Sequence, residues 1–116
     1  MNIQMVKSLF TLFSGVENTE EHLPLLMSVT DLIMKYVHSN ADSEDIRLCF
    51  LAASVANLRY RYTSAKAIAD MNMPNKYSAT EQQIEFTKQL IGSYCDLCAD
   101  LLIDTKDNTA LYSVEV

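Results

Sequence analysis

Val6, Leu9, Phe10 and Phe13 recur at the three- and four-residue spacing that places side chains on one face of a helix. The pattern predicts a first helix over about residues 2–14, closed at Gly15, where a left-handed residue suits a helix end. A second stripe, Leu23, Leu26, Thr30, Ile33 and Val37, predicts a helix over about residues 20–39, widened by Leu25, Met27, Leu32, Met34 and Tyr36. Thr19 is its candidate N-cap, Glu20 and Glu21 suit the positive end of the helix dipole, and Pro24 falls near the first turn, where proline is tolerated.

The polar run HSNADSED breaks the pattern, and Asp42 or Ser43 can cap a third helix over about residues 43–71. That helix is apolar on two opposite faces. One face carries Ile46, Cys49, Ala53, Ala56, Tyr60 and Ala67, and the other Leu48, Leu51, Val55, Leu58, Tyr62 and Ala69. Such a helix is normally buried on both sides, so it belongs at the centre, with other helices or a second subunit flanking it. The stretch MNMPNKYSA reads as a connector because Pro74 disfavours helix at Met73. Ser78 or Thr80 then caps a fourth helix over about residues 80–104. In the tail, 105–116, Tyr112, Val114 and Val116 alternate with Ser113 and Glu115 in a short strand-like pattern. The prediction is one all-α domain over 1–116: a four-helix bundle-like domain with a long central third helix and a short extended C-terminal tail.

Composition supports the helical reading. Among 116 residues only 2 are Gly and 2 Pro, too little punctuation for many tight turns, and 49% are apolar, enough for one core. The net charge of -6 opposes a phosphate-driven nucleic-acid interface and an anionic membrane surface. Three cysteines in apolar contexts fit a reducing cytoplasm better than a disulfide scaffold. The apolar run LFTLF near the N-terminus is too short for a signal core or a membrane span.

The one motif that suggests chemistry is the C-x-x-C of YCDLCAD. On a helix, Cys95 and Cys98 join the apolar stripe of Ile84, Thr87, Ile91 and Leu102, while Asp96 and Asp100 point away. A redox pair wants a helix N-terminus or a nearby cation, and zinc wants four ligands in paired half-sites. Only Cys49, His22 and His38 remain as further ligands, at no matching spacing. Core packing is the plainer account, and a cluster of Cys49, Cys95 and Cys98 is the arrangement a metal or thiol chemistry would require.

In LRYRY, Tyr60 and Tyr62 fall on opposite helix faces, which does not make a base-stacking platform. Tyr and Arg are common interface anchors. The candidate interface residues are therefore Leu51, Val55, Leu58, Arg59 and Tyr62 on the third helix, with Tyr112 and Val114 in the tail. There is no nucleophile–base spacing, Gly-rich phosphate loop or H-E-x-x-H, so no enzyme and no cofactor is indicated.

The segments LPLLMSVTDLIMKYV and DSEDIRLCFLAASVANLRYRYTSA resemble small all-helical proteins of phage and prophage structural modules, including head–tail connector (adaptor) proteins. There, a leucine-rich helix, an acidic turn and a long Ala-rich helix ending in an aromatic and Arg cluster follow one another. The resemblance covers about residues 20–70 and, loosely, 85–116, where ALYSVEV is similar to the short apolar tail of some such proteins. It implies a non-catalytic virion-assembly or accessory protein that forms homo-oligomers or binds other structural proteins, cytoplasmic or virion-associated, with no nucleic-acid or membrane partner. The alternatives are a small thiol- or metal-dependent protein using Cys49, Cys95 and Cys98, and a helical regulatory module.

Overall fold

A computed structural model of the chain describes residues 1–103. Tyr112, Val114 and the strand-like tail pattern lie outside the described residues. The fold is all-α. Helices α1 (Ile3–Ser14), α2 (Leu23–Met34), α3 (Ile46–Asp70) and α4 (Pro74–Leu97) follow in order, with a short 3-10 turn at Thr19–His22 leading into α2.

α1 begins where Asn2 can cap it. The Asn2 Oδ1 accepts from the Gln4 and Met5 amides at 3.0 and 3.2 Å. It ends at Gly15, whose φ of 79° is the left-handed conformation that glycine adopts without steric cost. Val6, Leu9 and Phe10 are buried.

α3 is the axis of the molecule, and α1, α2 and α4 all pack against it. Every residue from Leu51 to Leu58 is buried. Between Leu48 and Leu58 the two apolar faces are thus covered from within the chain, while Ile46, Ala67 and Ala69 at their ends are exposed. Leu51, Val55 and Leu58 are wholly inaccessible and are core residues, not the interface residues expected from the sequence. The alanines at 52, 53 and 56 are also fully buried, leaving little side chain between α3 and its neighbours.

Four boundaries differ from expectation. The cap of α3 is Asp45, not Asp42 or Ser43, because its carboxylate accepts the Arg47 amide at 2.9 Å and also holds the Arg47 side chain. α4 starts at Pro74, earlier than expected. Met73, at φ -116° and ψ 80°, is outside the helical region, as a residue before proline should be, but Pro74 with its fixed φ then serves as the first helical residue. The connector shrinks to Met71–Met73 and turns through Asn72, at a left-handed φ of 54°. Finally, α2 stops at Met34 and α4 at Leu97, short of the expected 39 and 104. The chain beyond each forms an antiparallel bridge between Val37 and Leu102. His38 N donates to the Leu101 carbonyl at 2.9 Å and Ile103 N to the Tyr36 carbonyl at 2.6 Å. That pairing satisfies backbone groups that helix would otherwise use, and it buries Leu101 and Leu102.

Arg47 fastens the start of α3 to the end of α4. Its guanidinium donates to Asp45 Oδ1 and Oδ2, to both carboxylate oxygens of Asp100 at 2.9 and 3.1 Å, and to the Leu97 carbonyl at 2.8 Å. Hydrogen bonds from Arg47 hold the Asp45 and Asp100 carboxyls below the ordinary range. A carboxyl depressed in the folded state stabilises the fold above its unfolded pKa, and that contribution is lost as pH falls through the folded values. The melting temperature of the wild type should therefore fall more steeply between about pH 5 and about pH 2 than that of Arg47→Gln. Circular dichroism melts across that range check it; parallel curves would show that the clamp carries no linked protons.

Candidate association surface

α1 and α4 both lie on α3, yet they leave a cleft between them. Its walls are Leu12 and Phe13 from the end of α1 and Gln82, Gln83, Phe86 and Leu90 from α4, and its floor is Asn57 and Arg61 from α3. The cavity is about 550 Å³. The rim is apolar and open to solvent: Leu12 is 73% exposed and Phe86 61%.

The floor is polar and incompletely satisfied. Asn57 is only 5% exposed, and its buried Oδ1 has no hydrogen-bond partner among the described residues. Arg61 donates from one terminal nitrogen to the Phe13 and Ser14 carbonyls, both at 3.3 Å, which closes the negative end of α1. Its Nε is buried without a partner among the described residues. A carboxamide oxygen and a guanidinium N–H at the base of an apolar cleft are an acceptor and a donor waiting for a complementary polar group. An unpaired buried polar atom is costly, on the order of 1–3 kcal/mol, unless something binds there.

Beyond the cleft, Phe13, Phe50 and Tyr94 form an aromatic cluster with ring centroids 5.7–6.4 Å apart. It bridges α1, α3 and α4 and leads to a small hollow lined by Arg47, Phe50, Tyr94 and Leu97. Hence one side of the molecule carries a near-continuous apolar seam.

The sequence candidates distribute differently. Tyr60 turns toward α1 and the 3-10 turn, its ring meeting Phe10 at 5.9 Å and His22 at 5.3 Å. Tyr62 turns toward α4, with the Lys88 ammonium 5.7 Å from its ring. The two tyrosines therefore serve separate packing sites. Arg59 and Tyr62 are partly exposed, but they do not line this cleft. Sequence reasoning misses Leu12, Asn57 and Phe86. Leu12 and Phe86 stand off the core stripes of their helices, and that misplacement is the available signal; Asn57 within an otherwise small and apolar run is the other.

The cysteines do not assemble into one site. Cys49 lies against the Asn2 carbonyl, with Sγ at 3.8 Å, near the start of α1. Cys95 and Cys98 are neighbours at the end of α4, Cys98 just past its last helical residue. Among the described residues, no group of three His, Cys, Asp or Glu side chains is placed to hold a metal ion. Burial pushes the Cys95 and Cys98 thiols up to about 11 and raises Cys49 as well. All three thiols are free. Cys95 and Cys98 should react with a disulfide reagent at pH 8 about two to three orders of magnitude more slowly than a free thiol, Cys49 should also be slowed, and all three should react promptly in denaturant. A fast-reacting thiol in the folded protein would contradict their burial in the core.

Among the described residues no helix is long and apolar enough to cross a membrane. The chain matches no family model, no curated protein and no solved structure.

Proposed function

We propose that this protein acts by association rather than catalysis, as a structural or accessory component that binds copies of itself or neighbouring structural proteins. The observation that carries the reading is the α1–α4 cleft, whose exposed Leu12 and Phe86 rim a floor with an unpartnered buried Asn57 oxygen. Exposed apolar side chains around a polar anchor are what a protein interface uses. The resemblance of residues 20–70 to phage head–tail connector proteins adds the setting, a prophage particle or its assembly.

Two measurements test this. Light scattering of the purified chain over a wide concentration range should give a mass above that of one chain. The genes flanking the coding sequence should encode portal, capsid or tail proteins. A strict monomer encoded among metabolic genes would overturn the reading.

A further inference from the structure

α4 carries a second stripe, distinct from the one that packs on α3. Ala79, Gln83, Phe86, Leu90, Ser93 and Leu97 succeed one another at alternating spacings of four and three residues. That alternation averages about 3.5 residues, the repeat of a coiled-coil seam. The core stripe of the same helix is Thr80, Ile84, Thr87, Ile91 and Cys95, all buried. The second stripe faces outward: all its members are exposed except Leu90, which is partly buried. Both exposed large apolar residues of α4, Phe86 and Leu97 (57% exposed), stand on it.

Its charge pattern is as telling as its period. The chain carries a net -6, so two copies repel unless they meet where acids are absent. Between Ala79 and Leu97 no charged residue falls on the stripe; Gln82, Gln89 and Asp96 border it on its outer side, and in an antiparallel pair Asp96 faces Gln82 rather than another acid. Glu81 and Glu85 lie next round the helix, beyond Gln82 and Gln89, and Glu85 is paired with Lys88 at 3.6 Å. An exposed uncharged strip running from Ala79 to Leu97 in an acidic protein needs an explanation other than solubility.

We propose that this strip pairs with the same strip of a second copy, antiparallel, about a two-fold axis passing between Phe86 and Leu90. The inference rests on the association reading and names its partner. In that register each position meets a complement. Phe86 of one copy packs on Leu90 of the other, the large Leu97 lies over the small Ala79, and Gln83 meets Ser93, where carboxamide and hydroxyl can bond. A parallel pairing would instead stack Phe86 on Phe86 and Gln83 on Gln83. An antiparallel second α4 also runs along the α1–α4 cleft, covering Leu12 and bringing glutamine carboxamides toward the unpartnered Asn57 oxygen. The interface is isologous, so it closes at a dimer.

Sedimentation of the full chain tests the face, and cysteine cross-linking tests the register. The wild type should be dimeric, and Phe86→Glu should be monomeric from about 1 μM to about 1 mM with an unchanged circular dichroism spectrum. An equimolar mixture of Gln83→Cys and Ser93→Cys should oxidise to a disulfide-linked heterodimer, while neither variant alone cross-links to itself. A dimer that survives Phe86→Glu overturns the proposal but leaves association standing, through another face. Self-cross-linking of Gln83→Cys overturns the antiparallel register. A wild type that stays monomeric overturns the proposal and removes self-association from the broader reading, leaving only binding to other proteins.

Discussion

Phe10→Ala is expected to destabilise the fold by about 3–5 kcal/mol, the cost of removing a buried aromatic ring and leaving its cavity. Phe10 has no solvent exposure and sits where α1, α3 and the 3-10 turn converge. Its ring meets Tyr60 edge-on at 5.9 Å and His22 at 5.8 Å. Neither neighbour can collapse into the space without abandoning its contact with the other, which lies 5.3 Å away. Urea denaturation gives the number. Leu12→Ala is the control from the same helix: 73% exposed in the single chain, it should change stability by no more than about 0.5 kcal/mol when both changes are made in the monomeric Phe86→Glu background. If the two variants cost the same, Phe10 does not face the core and Leu12 does not face solvent.

The second large effect concerns Leu51→Ala, which should cost about 2–5 kcal/mol while leaving the oligomeric mass unchanged. Leu51 is fully buried in the middle of α3, with Ala52, Ala53 and Val55 buried around it. If it belonged to a surface between subunits, the same change would shift the mass distribution at constant folding stability. Denaturation and sedimentation on one sample separate the cases. The converse is expected for Phe86→Glu, whose site is open: full loss of self-association, with stability reduced only by the concentration-dependent part that pairing supplies.

These substitutions also mark how far the sequence is legible. The double apolar face of α3 is plain from Leu48, Leu51, Val55 and Leu58 against Cys49, Ala53 and Ala56, and it requires a central position. Whether those faces meet the chain's own helices or a second copy is not decidable from the pattern, since periodicity states that a face is buried but not by what. The helix ends escape for a related reason. Pro74 breaks or begins a helix depending on which side one counts from, and the Val37–Leu102 bridge is a contact between residues far apart in sequence. YCDLCAD reads as core on helical spacing, and burial of both sulfurs agrees. The cleft is hidden because it depends on α1 and α4 standing apart, which no local pattern records. The second stripe on α4 is in principle visible. Its glutamines and serine look like ordinary solvated surface until the missing charges are noticed.

The short bridge at the end of the described chain has a consequence for motion. Val37 and Leu102 are joined only after the whole α3–α4 hairpin has been laid down between them. The amide protons of His38 and Ile103, bonded to Leu101 and Tyr36, therefore stay shielded only while that hairpin remains docked. They sit beside exposed residues, where exchange with solvent would ordinarily be fast. Slow hydrogen exchange at these two amides would report the integrity of everything between Val37 and Leu102, and their exchange should accelerate in step with the interior of α3 as denaturant is raised. Two peripheral hydrogen bonds thus act as a latch whose opening marks the cooperative loosening of the hairpin as a whole.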